Sequence, residues 1–353
     1  MQDKKVTIYD IAEKVGVSVG TVNRALNDKP RISEQTKQLI LDTAKELGYK
    51  ANPAAQGLRR APIKIGAILF CPIEEYVDSI IDGITSSALD LEKYNVTVDL
   101  RKIEYTKSRE CLEKTTVLIN KFADEDYNGI VLFLSSMLDE LQDITATINE
   151  LTDKNIFFAT VANDIPDSKR VIHVGIDAFM AGKMAAEILE MSCKSSDVAL
   201  LVTSTSSPVN IDYIRGFTKY SGKNTFSDIK IYEHFDDKGK VIEATKIMLE
   251  ENPNLKGIYM ATASSAISCE YIKEKNIKNL TIVTTDLLKE TPMLLKQKNA
   301  TATIFQNPYR QGRNVVKLLY NHIISQTDKG EHLLAPQILL SSNVDAYLNN
   351  NNL

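Results

Sequence analysis

Val19, Gly20, Asn23 and Arg24 fall on one face of a short amphipathic stretch, and their types suit contact with a nucleic-acid duplex. An arginine at position 24 can give two parallel N–H bonds to a guanine edge, or one charge-assisted bond to a phosphate. Val19 and Gly20 bring no hydrogen-bonding side chain. Any reading they do rests on thymine-methyl contact, close backbone approach and DNA shape. A second set of polar residues sits at the ends of apolar runs further along: Tyr76, Ser135, Asn163, Asp164, Tyr213, Asp286 and Gln306. A carboxylate such as Asp286 can accept two hydroxyl hydrogen bonds from a polyol, and reads equally as a helix N-cap. Gln306 offers an amide at a chain crossover. Tyr76 and Tyr213 can stack on a ring face or pack as ordinary aromatics.

The first set requires a rigid mount, and residues 6–27, VTIYDIAEKVGVSVGTVNRALN, supply one. Ile8, Ile11, Ala12 and Val15 recur at i, i+3, i+4 and i+7, one face of a helix. Thr7 with Asp10 three residues on makes an N-terminal capping signal. Gly16 ends that helix because it takes positive φ without strain. Ser18 caps a second helix, whose Val22, Ala25 and Leu26 turn inward. The outward residues then occupy the positions by which a helix-turn-helix touches base edges. A third helix follows, with Ser33 as cap, Leu39, Ile40, Ala44 and Leu47 as inner face, and Gly48 at its end. Beyond it, YKANPAAQGLRRAPIK reads as a linker of weak helical tendency, since Gly57 costs about 1 kcal/mol of propensity. Leu58 in this polar stretch could wedge between base steps when paired across a dimer, with Arg59 and Arg60 alongside for phosphates.

Charge divides the chain in the same place. Residues 1–60 carry 11 Lys+Arg and 7 Asp+Glu, whereas the remainder carries 31 and 39. A basic head on an acidic body suits a DNA module joined to a part that need not touch DNA. From Ile63 onward apolar strand candidates alternate with amphipathic segments, beginning at residues 65–70 and ending at 337–340. Such alternation predicts α/β architecture: two doubly wound parallel-sheet subdomains with a ligand cleft beyond the carboxyl ends of the strands. The expected division is a headpiece at 1–50, a hinge at 51–62 and an effector-binding, dimerising part at 63–353. The latter splits into an N-subdomain (63–175 plus 307–330) and a C-subdomain (176–306 plus 331–345). Cys71, Cys111, Cys193 and Cys269 are far apart, and the four histidines are not at metal spacings, so no metal, cofactor or catalytic residue is expected. His173 reads as a core histidine. Phosphate-loop and nucleophile-elbow motifs are absent from the sequence, which argues against an enzyme. Without a signal-peptide core or a membrane-length apolar run, the expected location is the cytoplasm.

Together these motifs resemble the LacI family of bacterial transcription repressors: the run from Thr7 to Asn27, then K-P-R-I-S-E-Q-T, then L-G-Y-K-A-N-P-A-A-Q-G-L. Later segments, VIHVGIDAFMAGKMAAEIL, IRGF, TTD and TATIFQNPYRQGRNVVKLL, look like the periplasmic binding protein type I fold that this family carries as its sensor. By position the resemblance gives Val19 and Gly20 the base-reading sites and Arg24 the family's arginine. It assigns phosphate contact or bracing to Thr7, Ser18, Thr21, Asn27 and Arg31. Residues 52–59 match the hinge helix, with Asn52, Ala55, Leu58 and Arg59 on DNA and Leu58 as the minor-groove leucine. Asn23 stands where the family usually has serine, Ala51 replaces a proline, and Tyr213 replaces the arginine of sugar-binding members. The implied partners are pseudo-palindromic operator DNA, a small polar, sugar-like effector and a second copy of the chain. A solute-binding protein of a sugar uptake system is the rival reading.

Overall fold

The computed structural model describes residues 6–26, 29–49, 61–135, 138–222, 225–235 and 237–348. The chain divides into two compact units, Met1–Ala61 and Pro62–Leu353. The first holds α1 (Ile8–Val15), α2 (Val19–Leu26) and α3 (Glu34–Glu46). The Asp10 carboxylate accepts from both the backbone N–H and the hydroxyl of Thr7, each at 2.6 Å, fixing the start of α1. Gly16 ends it in the left-handed region at φ 72°. Ser18 Oγ accepts from the Thr21 N–H at 3.1 Å, the cap expected for α2. Ile11, Ala12, Val22, Ala25, Ile40 and Ala44 form the core. Leu39, assigned above to the inner face of α3, is instead 55% exposed. In the run Leu39-Ile40-Leu41 each residue turns 100° from the last, and Ile40 takes the inward direction.

The second unit contains two sheets. The first is built from β1 (Ile63–Phe70), β2 (Val96–Lys102), β3 (Gly129–Leu134), β4 (Phe157–Val161), β5 (Ile172–Ile176) and β11 (Gly330–Leu334). Its order is β11-β5-β4-β3-β1-β2, all pairs parallel. The second comprises β6 (Asp197–Val202), β7 (Asp228–Glu233), β8 (Leu255–Ala261), β9 (Thr281–Thr285), β10 (Ala302–Phe305) and β12 (Gln337–Leu339). Its order is β12-β10-β9-β8-β6-β7, with β12 alone antiparallel. Apolar clusters cover both faces of each sheet, as near-continuous apolar strands require.

Gly330–Leu334 corrects the expected boundary. These residues extend the first sheet by pairing with Ile172–Ile176, so the chain crosses to the second sheet after Leu334 rather than at 331. The strand was hidden because it lies at an edge, with Glu331 and Leu333 exposed, and so lacks an apolar run.

Two helix pairs set the spacing of each half. In the first, α4 (Glu74–Glu92) lies against α12 (Pro308–Ser325), and in the second α7 (Ala178–Cys193) lies against α8 (Pro208–Ser221). Each crossing is made by reciprocal glycines. A Cβ on Gly83 would fall 2.0 Å from the Tyr309 carbonyl oxygen, and one on Gly312 2.1 Å from that of Ile80. Likewise, Gly182 would meet the Tyr213 oxygen at 2.1 Å and Gly216 that of Phe179 at 2.0 Å. No side chain fits at these distances, so the helices touch backbone to backbone.

Candidate functional site

Two surfaces carry the chemistry. On the three-helix unit, the amino-terminal part of α2 leaves Gly20 and Arg24 exposed, with Val19, Thr21 and Asn23 half-buried. Val19 rests partly on the core. Gly20 has no steric need to be glycine, since a Cβ there would meet nothing nearer than Ser18 Oγ at 3.6 Å. Ser18 and Thr21 join their hydroxyls at 2.9 Å on the exposed side. Thr7 is exposed at the start of α1, and Arg31 is exposed with φ 69°. Asn27, Asn52, Ala55, Leu58 and Arg59 lie outside the described residues.

In the second unit a cavity of about 200 Å³ opens between the two sheets. Parallel strands aim their carboxyl ends at it, as the doubly wound topology dictates. From the first half come Tyr76 on α4, Ser135 after β3 and Asn163 after β4; from the second come Tyr213 on α8, Asp286 after β9 and Gln306 after β10. Six of the seven residues named from the sequence therefore converge. Asp164 is the exception and does not line the cavity. Its carboxylate is held by Arg170 in two bonds, Nε to Oδ1 at 2.6 Å and Nη2 to Oδ2 at 2.5 Å, and accepts from Thr160 at 2.9 Å. Burial would raise its carboxyl, but Arg170, His173 and Thr160 outweigh this and hold it below the ordinary carboxylate value. Asp164 braces the end of β4. His173 is buried against it, with Nδ1 2.9 Å from the Thr160 hydroxyl, and burial pushes its ring down to about 4, so it is neutral.

Asp286 is the buried carboxyl in the cavity wall. It is 1% exposed, and its backbone turns through φ 74° where β9 ends. Gln306 Nε2 donates to Oδ2 at 3.0 Å, while Oδ1 has no hydrogen-bond partner among the described residues. Burial pushes this carboxyl up to about 7, against a smaller lowering by Gln306. It serves as no helix cap. The Tyr213 hydroxyl is likewise buried without a partner, and burial raises it well above its ordinary value, as it does for Tyr76. Tyr213 meets Tyr259 edge to face at 6.0 Å, and Tyr76 packs on Phe133 at 5.9 Å. Asn163 Nδ2 donates to the Leu134 carbonyl at 3.1 Å, tying the ends of β3 and β4 together.

Several lining residues had not been anticipated, among them Tyr105, Glu140, Ser204, Asn210 and Phe235. Ser204 and Asn210 had a legible signal. The run TSTSSP after an apolar strand ends in a proline, which takes the first position of α8 and places the serines at a strand's carboxyl end. Tyr105 and Phe235 follow strands of unremarkable sequence and had none.

Residues 7–52 match the model for bacterial regulatory proteins of the lacI family, and residues 73–327 match a periplasmic binding protein domain. The chain belongs to the LacI family. It is a DNA-binding transcription regulator with a helix-turn-helix headpiece and a periplasmic binding protein-like domain. Catabolite control protein A of Priestia megaterium is 24% identical over 332 residues, 91% of this chain and 94% of that protein. The HTH-type transcriptional regulator RegA of Clostridium saccharobutylicum is 33% identical over 159 residues, 45% of each. Among solved structures, GanP, a glucose-galactose binding protein from Geobacillus stearothermophilus, superposes with a TM-score of 0.71 at 20% identity, covering 80% of this chain and 99% of that one. AraP, an arabinose binding protein from the same organism, gives 0.68 at 20%, covering 81% and 99%. These likenesses establish the fold of the second unit. RegA is named as a transcriptional regulator and the other relative as a control protein. No helix among the described residues is long and apolar enough to cross a membrane.

Proposed function

We propose that this LacI-family regulator is a cytoplasmic, homodimeric repressor whose operator affinity is set by a small sugar-like effector. Two headpieces occupy the half-sites of a near-palindromic operator, because a two-fold protein matches a two-fold site. Arg24 and Asn23 reach base edges, with Val19 and Gly20 giving apolar contact and close approach. Thr7, Ser18, Thr21 and Arg31 contact phosphates, as do Asn27 and the hinge residues Asn52, Ala55 and Arg59, while Leu58 wedges the central step. A glycine at position 20 with open space around it is what close backbone approach to DNA requires.

The observation that carries the effector reading is Asp286, an almost fully buried residue in the wall of a cavity between two sheets, whose Oδ1 has no partner among the described residues. A buried acceptor left unsatisfied costs about 1–3 kcal/mol, which a ligand hydroxyl recovers. Ser135, Asn163, Tyr213 and Gln306 complete the polar ring, and the names of GanP and AraP point to the same ligand class. Occupancy draws the two halves together and changes hinge pairing, which couples the sites by about 1–3 kcal/mol.

The test has two steps. The purified chain is first used to select binding fragments from random duplex, and a near-palindromic consensus is expected. Sugars and polyols are then screened by thermal shift, and those that stabilise the chain should change operator affinity by about 5- to 150-fold. Failure to enrich any sequence, or stabilising sugars that leave DNA affinity untouched, would overturn the proposal.

A further inference from the structure

Resting on the reading of this cavity as the effector site, the lining also speaks to the charge of the occupant. Among the described residues, the two charged side chains that face the cavity are both carboxylates, Asp286 and Glu140. Aromatic rings make much of the remaining wall: Tyr76, Tyr105, Phe133, Tyr213 and Phe235. The negative faces of such rings favour a cation. A neighbouring cavity of about 320 Å³ shares Tyr76 and Asp286 as a common wall and adds Glu75, Asp78 and Asp82, of which Asp78 is paired with Lys102 at 2.5 Å. Asp286 therefore lies between two cavities whose charged lining residues, among those described, are all acidic. Its two oxygens receive one neutral donor, the Gln306 amide.

We propose that the effector is an amino sugar whose protonated amino group pairs with Asp286. A hydroxyl could satisfy the Oδ1 lone pair, but it brings no opposite charge to a carboxyl that burial holds only partly ionised near pH 7. An ammonium group supplies both the hydrogen bond and the opposite charge. A phosphorylated or carboxylated ligand meets two carboxylates and π faces instead. The hydroxyls and amides of Ser135, Asn163, Ser204 and Asn210 select a polyhydroxylated ring over a bare alkyl amine. A volume of about 200 Å³ suits one such ring.

Titration calorimetry of the intact chain at pH 7 would compare matched pairs: glucosamine with glucose, galactosamine with galactose, mannosamine with mannose. In at least one pair the amine should bind tenfold or more tightly, and Asp286→Asn should reduce that preference to about twofold. Should the variant not fold, the N-acetylated form of the preferred amine, which keeps the ring and loses the charge, is expected to lose the tenfold advantage in the unaltered chain. Neutral sugars binding as well as their amines, or a preference that survives Asp286→Asn or N-acetylation, overturns the amino-sugar assignment and leaves the sugar sensor standing. Binding of no sugar, amino or neutral, overturns both.

Discussion

Replacing Asp286 by asparagine should stabilise the ligand-free protein at neutral and alkaline pH and leave it unchanged in acid. The folded carboxyl titrates at about 7 against an ordinary value of 3.8, because burial disfavours its charge. Below about pH 4 the group is protonated in both folded and unfolded chains, and its effect is nil. Between 4 and 7 the unfolded chain ionises while the folded one does not, so the parent loses stability as pH rises. Above 7 both are charged and the loss levels off. At about 1.4 kcal/mol per pH unit the full gap amounts to about 4 kcal/mol. Water in the adjoining cavity screens part of this, leaving about 2–4 kcal/mol, or roughly 4–10 °C in melting midpoint for a unit of this size. Gln306 faces the carboxyl but does not titrate, and burial raises Tyr76, Tyr213 and Tyr259 out of this window. Melting curves of parent and variant from pH 4 to 8.5 should therefore meet near pH 4, separate steadily up to about pH 7 and keep a constant gap above it. A constant offset across the whole range, or a variant less stable than the parent at pH 8, would refute the reasoning.

Gly182→Ala places a methyl 2.1 Å from the Tyr213 carbonyl oxygen and must push α8 off α7 by roughly 1 Å. We expect a loss of about 1–3 kcal/mol or more in chemical denaturation, together with weakened binding of any effector, because Tyr213 lines the cavity. Gly83→Ala is the matched control, since it clashes equally, at 2.0 Å, with the Tyr309 carbonyl, outside the 200 Å³ cavity. Arg24→Ala should lower affinity for the selected operator by about 5- to 150-fold, the 1–3 kcal/mol of a good base contact, with the headpiece still folded because the side chain is exposed. Unchanged footprints would remove Arg24 from the reading set.

The headpiece was legible because its determinants are local. Gly16, Ser18 and the 3.6-residue pattern each act within one turn of where they stand, and the structure places them as read. The alternation of strands and helices was legible for the same reason. Three features were not. Leu39 looked like a core residue because the sequence shows three apolar residues abreast and not which one points inward. Gly330–Leu334 is a strand only because β5 offers it an edge, and pairing across more than 150 residues leaves no local trace. Asp164 and Asp286 look alike in sequence, each an acidic residue just past an apolar strand. What separates them is Arg170, six residues beyond Asp164, returning in space to neutralise it.

That difference leaves Asp164 neutralised as a brace and Asp286 buried with an oxygen that has no partner among the described residues. Asp286 sits at the second sheet, yet its Oδ2 is held by Gln306, whose own carbonyl accepts from Gln311 Nε2 on α12 at 2.9 Å. Helix α12 belongs to the first half, locked at Gly312 against the Ile80 carbonyl of α4. The same α4 presents Tyr76 to the cavity. The backbone carbonyl of Asp286 is also occupied, by the Thr303 hydroxyl at 2.7 Å. Every polar atom of Asp286 that the described residues satisfy is thus tied to the chain crossover or to its own sheet, and Oδ1 alone has no partner among them. A ligand that donates to Oδ1 pulls on a carboxylate already braced from both halves. Under the proposed function such a ligand cannot bind one half without fixing the other, and this is the condition for a binding event to be felt where the two halves meet.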